Sequence, residues 1–436
     1  MLSRVFLCLV AGLVLANGSV LEHQRPIAVT DVDNDIDADA APSYRADLLA
    51  LHKALVEIPS VTGNEAAVAE YLVDYFTYHD WSAKLEAVPG KSDKTGADRF
   101  NVLAWPPSEK DSKPKVLVTS HIDVVPPHIP YSISDEKPTR ATVIKGRGSV
   151  DAKGSVAAQI TAVEELLSSE DIEPEELMLL FVVDEEKGGA GMRYFSDTLQ
   201  RLDPPRSFEA VIFGEPTELK LACGHKGGLV CFAEAHGKAG HSGYPWLGKS
   251  ATELLMRGLV RILDTDLGSS EDWGNSTINV GLIEGGVAGN VIPERATATL
   301  MGRIALTAEQ GGHEAIVKKM EEVIKSVDDE DLILDCPAGS PVVKCDCDVG
   351  GKPLVAFFRC ISYRWQMLTL GLALGFETIV ANYGTDIPNL KGNHTRYLYG
   401  PGTILVAHSD HEALTVGDLE DAVEGFKKLI THALKG

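Results

Sequence analysis

The chain is short of positive charge. Its 436 residues carry 40 Lys and Arg against 63 Asp and Glu, a formal net charge of −23. Such a balance repels phosphate backbones and anionic lipid headgroups, so neither a nucleic-acid partner nor a membrane partner is expected. Long apolar runs are lacking as well. Beyond the N-terminal stretch no segment approaches the roughly 20 apolar residues of a spanning helix. Cysteine is scarce, at 7 residues. No C-x-x-C pair occurs among Cys336, Cys345 and Cys347, which argues against a zinc–thiolate site there.

What is present reads first as a processed N-terminus. Arg4, the apolar run Val5 to Ala16, and Ala16 with Gly18 at signal-peptidase spacing predict a secretory signal peptide over 1–18, and hence a secreted, extracellular protein. Cys8 would leave with it. The six remaining cysteines, Cys223, Cys231, Cys336, Cys345, Cys347 and Cys360, permit disulfides, but the sequence selects no pairing. In residues 19–44, Asp31, Asp33, Asp35, Asp37 and Asp39 alternate with other residues. A calcium loop would need Gly where Ile36 stands and a bidentate Glu where Pro42 stands, so the segment reads as an acidic leader or pro-segment.

Hydrophobic residues at 44% and charged residues at 24% suit a packed fold. Leu48, Leu51, Leu55 and Ile58 recur at helical spacing until Pro59, and Asn64 is placed to cap a second helix from Ala66 to Tyr75. Strand-like runs (VLVTS, LMLLFVV, AVIFG) then alternate with helical ones, the pattern of an α/β layered sheet. Over 227–335 the order becomes strand, helix, two strands, helix, which predicts an inserted α+β unit of the ferredoxin-like, split type. The stretch from Thr403 onward, TILVAHSDHE and the run after it, predicts one more strand and helix. The expected organisation is a catalytic three-layer α/β domain over 45–226 and 336–436, interrupted by a lid or dimerisation domain over 227–335. Residues 350–375 hold Lys352, Arg359 and Arg364 but no acidic residue, and read as an insertion foreign to the fold, of the kind a translated intron would leave; the competing reading is a loop or hairpin contacting the lid.

The chemistry-bearing residues cluster by position. His121 and Asp123 follow KVLVTS, Glu185 and Glu186 follow LMLLFVVD, Glu215 follows AVIFG, and His408 follows TILVA. Each is expected at the carboxyl end of a strand, the edge where open α/β sheets bind ligands. Asp151 joins them from the glycine-punctuated loop GRGSVDAKGS. Carboxylates brought together there repel by roughly 4 kcal/mol per pair at about 4 Å and an effective dielectric of about 20. Two imidazoles and several carboxylates without thiolate suit a pair of zinc-like ions, one carboxylate bridging. Asp123, two residues from His121 on an extended chain, can orient its imidazole. Adjacent Glu185 and Glu186 must point differently, leaving one free as a general base.

At these residues the sequence resembles the co-catalytic zinc metallopeptidases that include acetylornithine deacetylase, succinyl-diaminopimelate desuccinylase, aminoacylase and glutamate carboxypeptidase. The matching pieces are SHIDVVPP, GRGSVDAKG, DEEKGGAG, GEPT, GKAGHSGYP, GGVAGNVIP and HSDHE, in the family's order. They cover the chain from about residue 45 to its end except for 350–375. The resemblance implies a catalytic domain with an inserted lid and two zinc ions per subunit. His121, Asp151, Glu186, Glu215 and His408 match the ligands, with Asp151 bridging; His408 is preferred to His411 because Glu412 lies four residues on, as in the family. Glu185 matches the general base, Asp123 the residue orienting His121, and His241 the oxyanion-stabilising histidine. Asn290 and Arg303 match substrate contacts, and family lids often dimerise. Asn275 and Asn393 head N-glycosylation sequons.

The expected function is a secreted carboxypeptidase-type exopeptidase acting on small peptides. An N-acyl amino acid deacylase would share every catalytic residue. A non-catalytic metal-binding protein would have no use for an unligated Glu185.

Overall fold

In the computed structural model the described residues are 41–89, 99–108, 110, 112–349, 354–355, 369–370 and 375–435. The expected signal peptide, most of the acidic leader and nearly all of the atypical segment lie outside them. From 350–375 only Gly375 and the short pairing of Leu354–Val355 with Thr369–Leu370 are described. No helix among the described residues is long and apolar enough to cross a membrane.

The helices are α1 (Arg45–Glu57), α2 (Ala66–Tyr78), α3 (Lys153–Ser168), α4 (Ala190–Gln200), α5 (Ala251–Leu263), α6 (Gly312–Val327) and α7 (Val416–Lys435). The principal strands are β1 (Ser82–Ala87), β2 (Phe100–Trp105), β3 (Val116–His121), β4 (Leu177–Val182), β5 (Ala210–Gly214), β6 (Gly227–His236), β7 (Thr277–Gly285), β8 (Arg295–Ile304), β9 (Leu332–Gly339) and β10 (Thr395–Tyr399). α1 ends just before Pro59, which cannot continue a helix. The expected Asn64 cap is corrected: Glu65 stands at the start of α2, its carboxylate accepting the Gly63 N–H at 2.8 Å and pairing with Arg99. A longer side chain, itself buried, reaches both the Gly63 N–H and the half-buried Arg99 guanidinium.

The main sheet has the order β1-β2-β4-β3-β5-β10, parallel from β4 to β10 and antiparallel at the β1–β2 and β2–β4 pairings. Alternation sorts its side chains to two faces. Val116 and Val118 of β3, with Leu177, Leu179 and Phe181 of β4, enter the core shared with α1, α2, α3 and α7. Leu117, Met178, Leu180 and Val182 enter a second core with Met192, Phe195 and Leu199 of α4. A parallel sheet must be covered on both faces, and this one is, giving the expected three-layer α/β class.

Residues 227–339 build a separate four-stranded antiparallel sheet of order β7-β8-β6-β9, with α5 and α6 against one face around a core of their own. The chain order strand-helix-strand-strand-helix-strand is that of a ferredoxin-like unit. Its last strand runs to Gly339, past the expected boundary at 335.

Among the described residues two disulfides join Cys223 to Cys347 and Cys231 to Cys336, and Cys345 is unpaired. Cys360 lies outside the described residues. One expected element is absent: Thr403 to His408 is a run of turns with an isolated bridge at Thr403, and the last strand of the main sheet is β10, ahead of Gly400-Pro401-Gly402.

Candidate metal centre and cleft

Parallel register places the site. His121, the last residue of β3, lies beside Val182 at the end of β4, and Thr119 beside Phe213 near the end of β5. The Glu185–Glu186 turn and Glu215 therefore leave the sheet on either side of His121, at its carboxyl edge. Asp151 arrives from the loop ahead of α3, and His408 from the turns after β10.

These five residues meet as two triads that share one carboxylate. His121, Asp151 and Glu215 present ligand atoms within 4.8 Å of one another, and so do Asp151, Glu186 and His408. Asp151 Oδ1 lies 3.1 Å from His121 Nε2, and its Oδ2 lies 3.2 Å from His408 Nε2. Glu215 Oε1 is 3.8 Å from His121 Nε2, and Glu186 Oε2 is 3.0 Å from His408 Nε2. His121, Asp151 and Glu215 are buried, Glu186 is half-buried and His408 is exposed. His408 also has φ +64°, a left-handed conformation costing an L-residue about 1 kcal/mol or more.

The electrostatics are those of a cation site. Burial would raise the Asp151 carboxyl, yet hydrogen bonds from both imidazoles hold it below the usual range. Burial opposes charge on His121, but Glu215 and Asp151 raise its pKa well above the ordinary value. His408 is pushed up to about 10 by its bonds to Asp151 and Glu186. The two imidazoles face a surplus of acids, and Glu186 Oε1 is buried with no hydrogen-bond partner among the described residues. Nitrogen and oxygen donors in two triads with a common carboxylate fit a pair of borderline divalent ions.

Glu185 adjoins this cluster, its carboxyl raised well above the usual value by burial and then by Glu215. Asp123 behaves differently from expectation. His121 Nδ1 bonds the Asp123 backbone carbonyl at 3.0 Å, whereas its carboxylate is 3.7 Å away. That carboxylate instead accepts the backbone N–H groups of Glu185 (3.1 Å) and Glu186 (3.3 Å) and the Thr62 hydroxyl (2.9 Å). On an extended chain the carbonyl comes as near the ring as the side chain does, and the turn's N–H groups need the buried acceptor more.

A cleft of about 440 Å³ opens over the cluster, lined by Asp151, Glu185, Glu186, Glu215 and His408 below and by Arg303 from β8 above. His241 and Asn290 are not among its lining residues. They sit together on another part of the second unit, where Gly240–His241 pairs with Val291–Ile292 and the Ser242 N–H donates to the Asn290 carbonyl at 3.0 Å. Both side chains are exposed.

Asp386 was not anticipated from the sequence. It is buried at the cleft wall, accepts the Asn389 amide at 2.7 Å, leaves its other oxygen without a partner, and is pushed up to about 6 by burial. The available signal was Gly384-Thr385-Asp386, a glycine-led acid just after the Thr378–Ala381 strand.

Residues 117–432 match the description Peptidase family M20/M25/M40. A Peptidase M20 domain-containing protein of Sordaria macrospora is 50% identical over 415 residues, covering 90% of this chain and 86% of that one. A probable carboxypeptidase of Emericella nidulans is 43% identical over 451 residues, covering 98% of this chain and 99% of its own. Among solved structures, an M20 family metallo-carboxypeptidase of Sulfolobus solfataricus gives a TM-score of 0.63 at 17% identity, over 89% of this chain and 99% of that one, a likeness of fold.

Proposed function

The chain belongs to peptidase family M20/M25/M40 and is a hydrolytic peptidase; on that premise we propose that it is a secreted, two-zinc carboxypeptidase-type exopeptidase. The observation that carries the reading is Arg303. Its guanidinium lines the same cleft as Glu185 and makes no ion pair among the described residues. A planar fork of donors facing the scissile position suits the free carboxylate at a peptide's C-terminus.

His121, Asp151 and Glu215 would hold one ion, and Asp151, Glu186 and His408 the other. When bound, the ions supply Lewis-acid polarisation of the scissile carbonyl and acidify water. Glu185 takes the proton of the attacking water as general base and returns it to the leaving amine. The hydrogen bonds of Asp123 to the Glu185–Glu186 turn hold base and ligand in different directions. Through movement of the second unit, acting as a lid, or from a second copy, His241 would reach the substrate's carbonyl oxygen and Asn290 would contact the substrate. Exposed Met256, Val260 and Leu263 on α5, with Leu282 and Ile283 on the edge strand β7, support a homodimer through that unit.

Secretion is supported by the N-terminal pattern and by two disulfides, which persist in oxidising compartments. Asn275 and Asn393 are both exposed, as glycosylation requires.

Glu185→Ala should lose nearly all turnover of C-terminally free peptides while its zinc content stays at the wild-type level. Substantial residual kcat would remove Glu185 from its role. Faster cleavage of N-acetyl amino acids than of peptides would assign the protein as a deacylase.

A further inference from the structure

We propose that Glu412 is a positioning residue of the metal centre, a single buried carboxylate that fixes the shared ligand Asp151 and ties it to the segment bearing His408. Glu412 is 2% exposed. Its Oε1 accepts three backbone N–H groups of one loop, Gly148 at 3.0 Å, Val150 at 3.0 Å and Asp151 at 3.1 Å. Its Oε2 accepts Arg147 Nη1 at 2.6 Å, and its own carbonyl accepts the Gly146 N–H at 3.3 Å. Successive N–H groups converging on one oxygen form an anion nest, here filled by a side chain of the protein.

The loop carries Asp151, so this nest sets where that carboxylate stands. From the other side His52 Nε2 bonds the Ser149 carbonyl at 3.0 Å, and Lys153 Nζ bonds the carbonyls of Leu55 and Ile58 at 2.7 and 2.9 Å. Glu412 alone among these anchors comes from the stretch that supplies His408. Just beyond it Ala413–Thr415 pairs with Val143–Lys145, so the two ligand-bearing segments are stitched together next to the site. Asp151 bonds both imidazoles, and its displacement would disturb both triads.

The inference rests on reading these five residues as metal ligands, and the test separates the two. Zinc dissociation constants are measured on the metal-free full-length protein by competition with a chromophoric chelator, alongside thermal melts. Arg147→Met removes the ion pair but keeps the nest. Arg147→Met with Glu412→Met removes both without leaving a buried charge unpaired, a replacement folds commonly tolerate. The double variant should bind zinc about 10–100-fold more weakly than wild type, while Arg147→Met alone stays within about threefold. Glu412→Gln in the Arg147→Met background, which keeps an acceptor for the N–H groups, should recover most of the affinity. Wild-type affinity in the double variant overturns the proposal. So does equal weakening by Arg147→Met alone, since the carboxylate would then be only a counter-ion. Asp151→Asn is the control: wild-type zinc affinity there would sink the ligand assignment itself.

Discussion

His52 is wholly buried, its Nε2 engaged with the Ser149 carbonyl and its Nδ1 without a partner. Burial lowers its pKa to about 4, with the Lys153 ammonium adding to the effect. In the unfolded chain the ring titrates at its ordinary value near 6.5. Between these values the unfolded state binds more protons, so stability is retained above about pH 6.5 and lost as pH falls toward 4, by about 2–3 kcal/mol. Denaturant unfolding of wild type and His52→Gln at pH 7.5 and 4.5 should show that extra loss in wild type only; equal slopes would remove His52 from the acid response. At the same scale, Asp123 acts on the chemistry through backbone. Asn in its place has one acceptor oxygen for two N–H groups and a hydroxyl, so the Glu185–Glu186 turn would loosen. Asp123→Asn should lower kcat by about 10–100-fold with zinc per chain unchanged, since partners behind a metal ligand carry effects of that size. A change confined to KM would count against it.

Elements were legible where a local signal decides them. Pro59 ends α1, as its inability to continue a helix requires. Four of the five candidate ligands could be read because an apolar run followed by acid or histidine recurs, and Asp151 because glycines punctuate its loop. TILVA shows where that reading fails. A short apolar run does not distinguish strand from turn; here Gly400-Pro401-Gly402 has already stopped β10, and Leu405 is 81% exposed. Asp386 and the true partners of the Asp123 carboxylate were not legible because they depend on segments brought together from far apart in the chain. The disulfide Cys231–Cys336 is likewise a tertiary fact, clasping β6 to the irregular stretch of the edge strand β9 between Asp335 and Ala338. Cys231→Ala with Cys336→Ala should destabilise the second unit by about 2–4 kcal/mol. Melting should be lowered with zinc content intact, because the ligands sit on the main sheet and its loops. Loss of zinc in that variant would mean that the two units do not fold independently of this link.

At the scale of the whole molecule, the acidic composition becomes local: four of the site's carboxylates, Asp151, Glu185, Glu186 and Glu215, are offset by imidazoles and by whatever cations the cluster holds. The segment 350–375 has the opposite character, with three cations and no acid. Its flanks are held by contacts of their own. Val343–Lys344 pairs with Leu221–His225, Cys347 is bonded to Cys223, and Asp346 N–H donates to the Arg396 carbonyl at 2.7 Å. On the far side Thr378–Ala381 pairs with the same Leu221–His225 strand, and the Glu377 carbonyl accepts the Leu221 N–H at 2.8 Å. Val349, fully buried, and Phe376, whose ring lies 5.0 Å from that of Tyr399, pack against one core. Both ends are thus tied to one strand and one core, through attachments made by residues outside 350–375. Deleting 350–375 should give a protein with the same two disulfides, the same zinc content and a melting temperature no lower than that of the full chain. Transcript sequencing should find messages that lack these codons. If every message carries them and the deletion fails to fold, the segment is native to this protein and its cations have work in the fold.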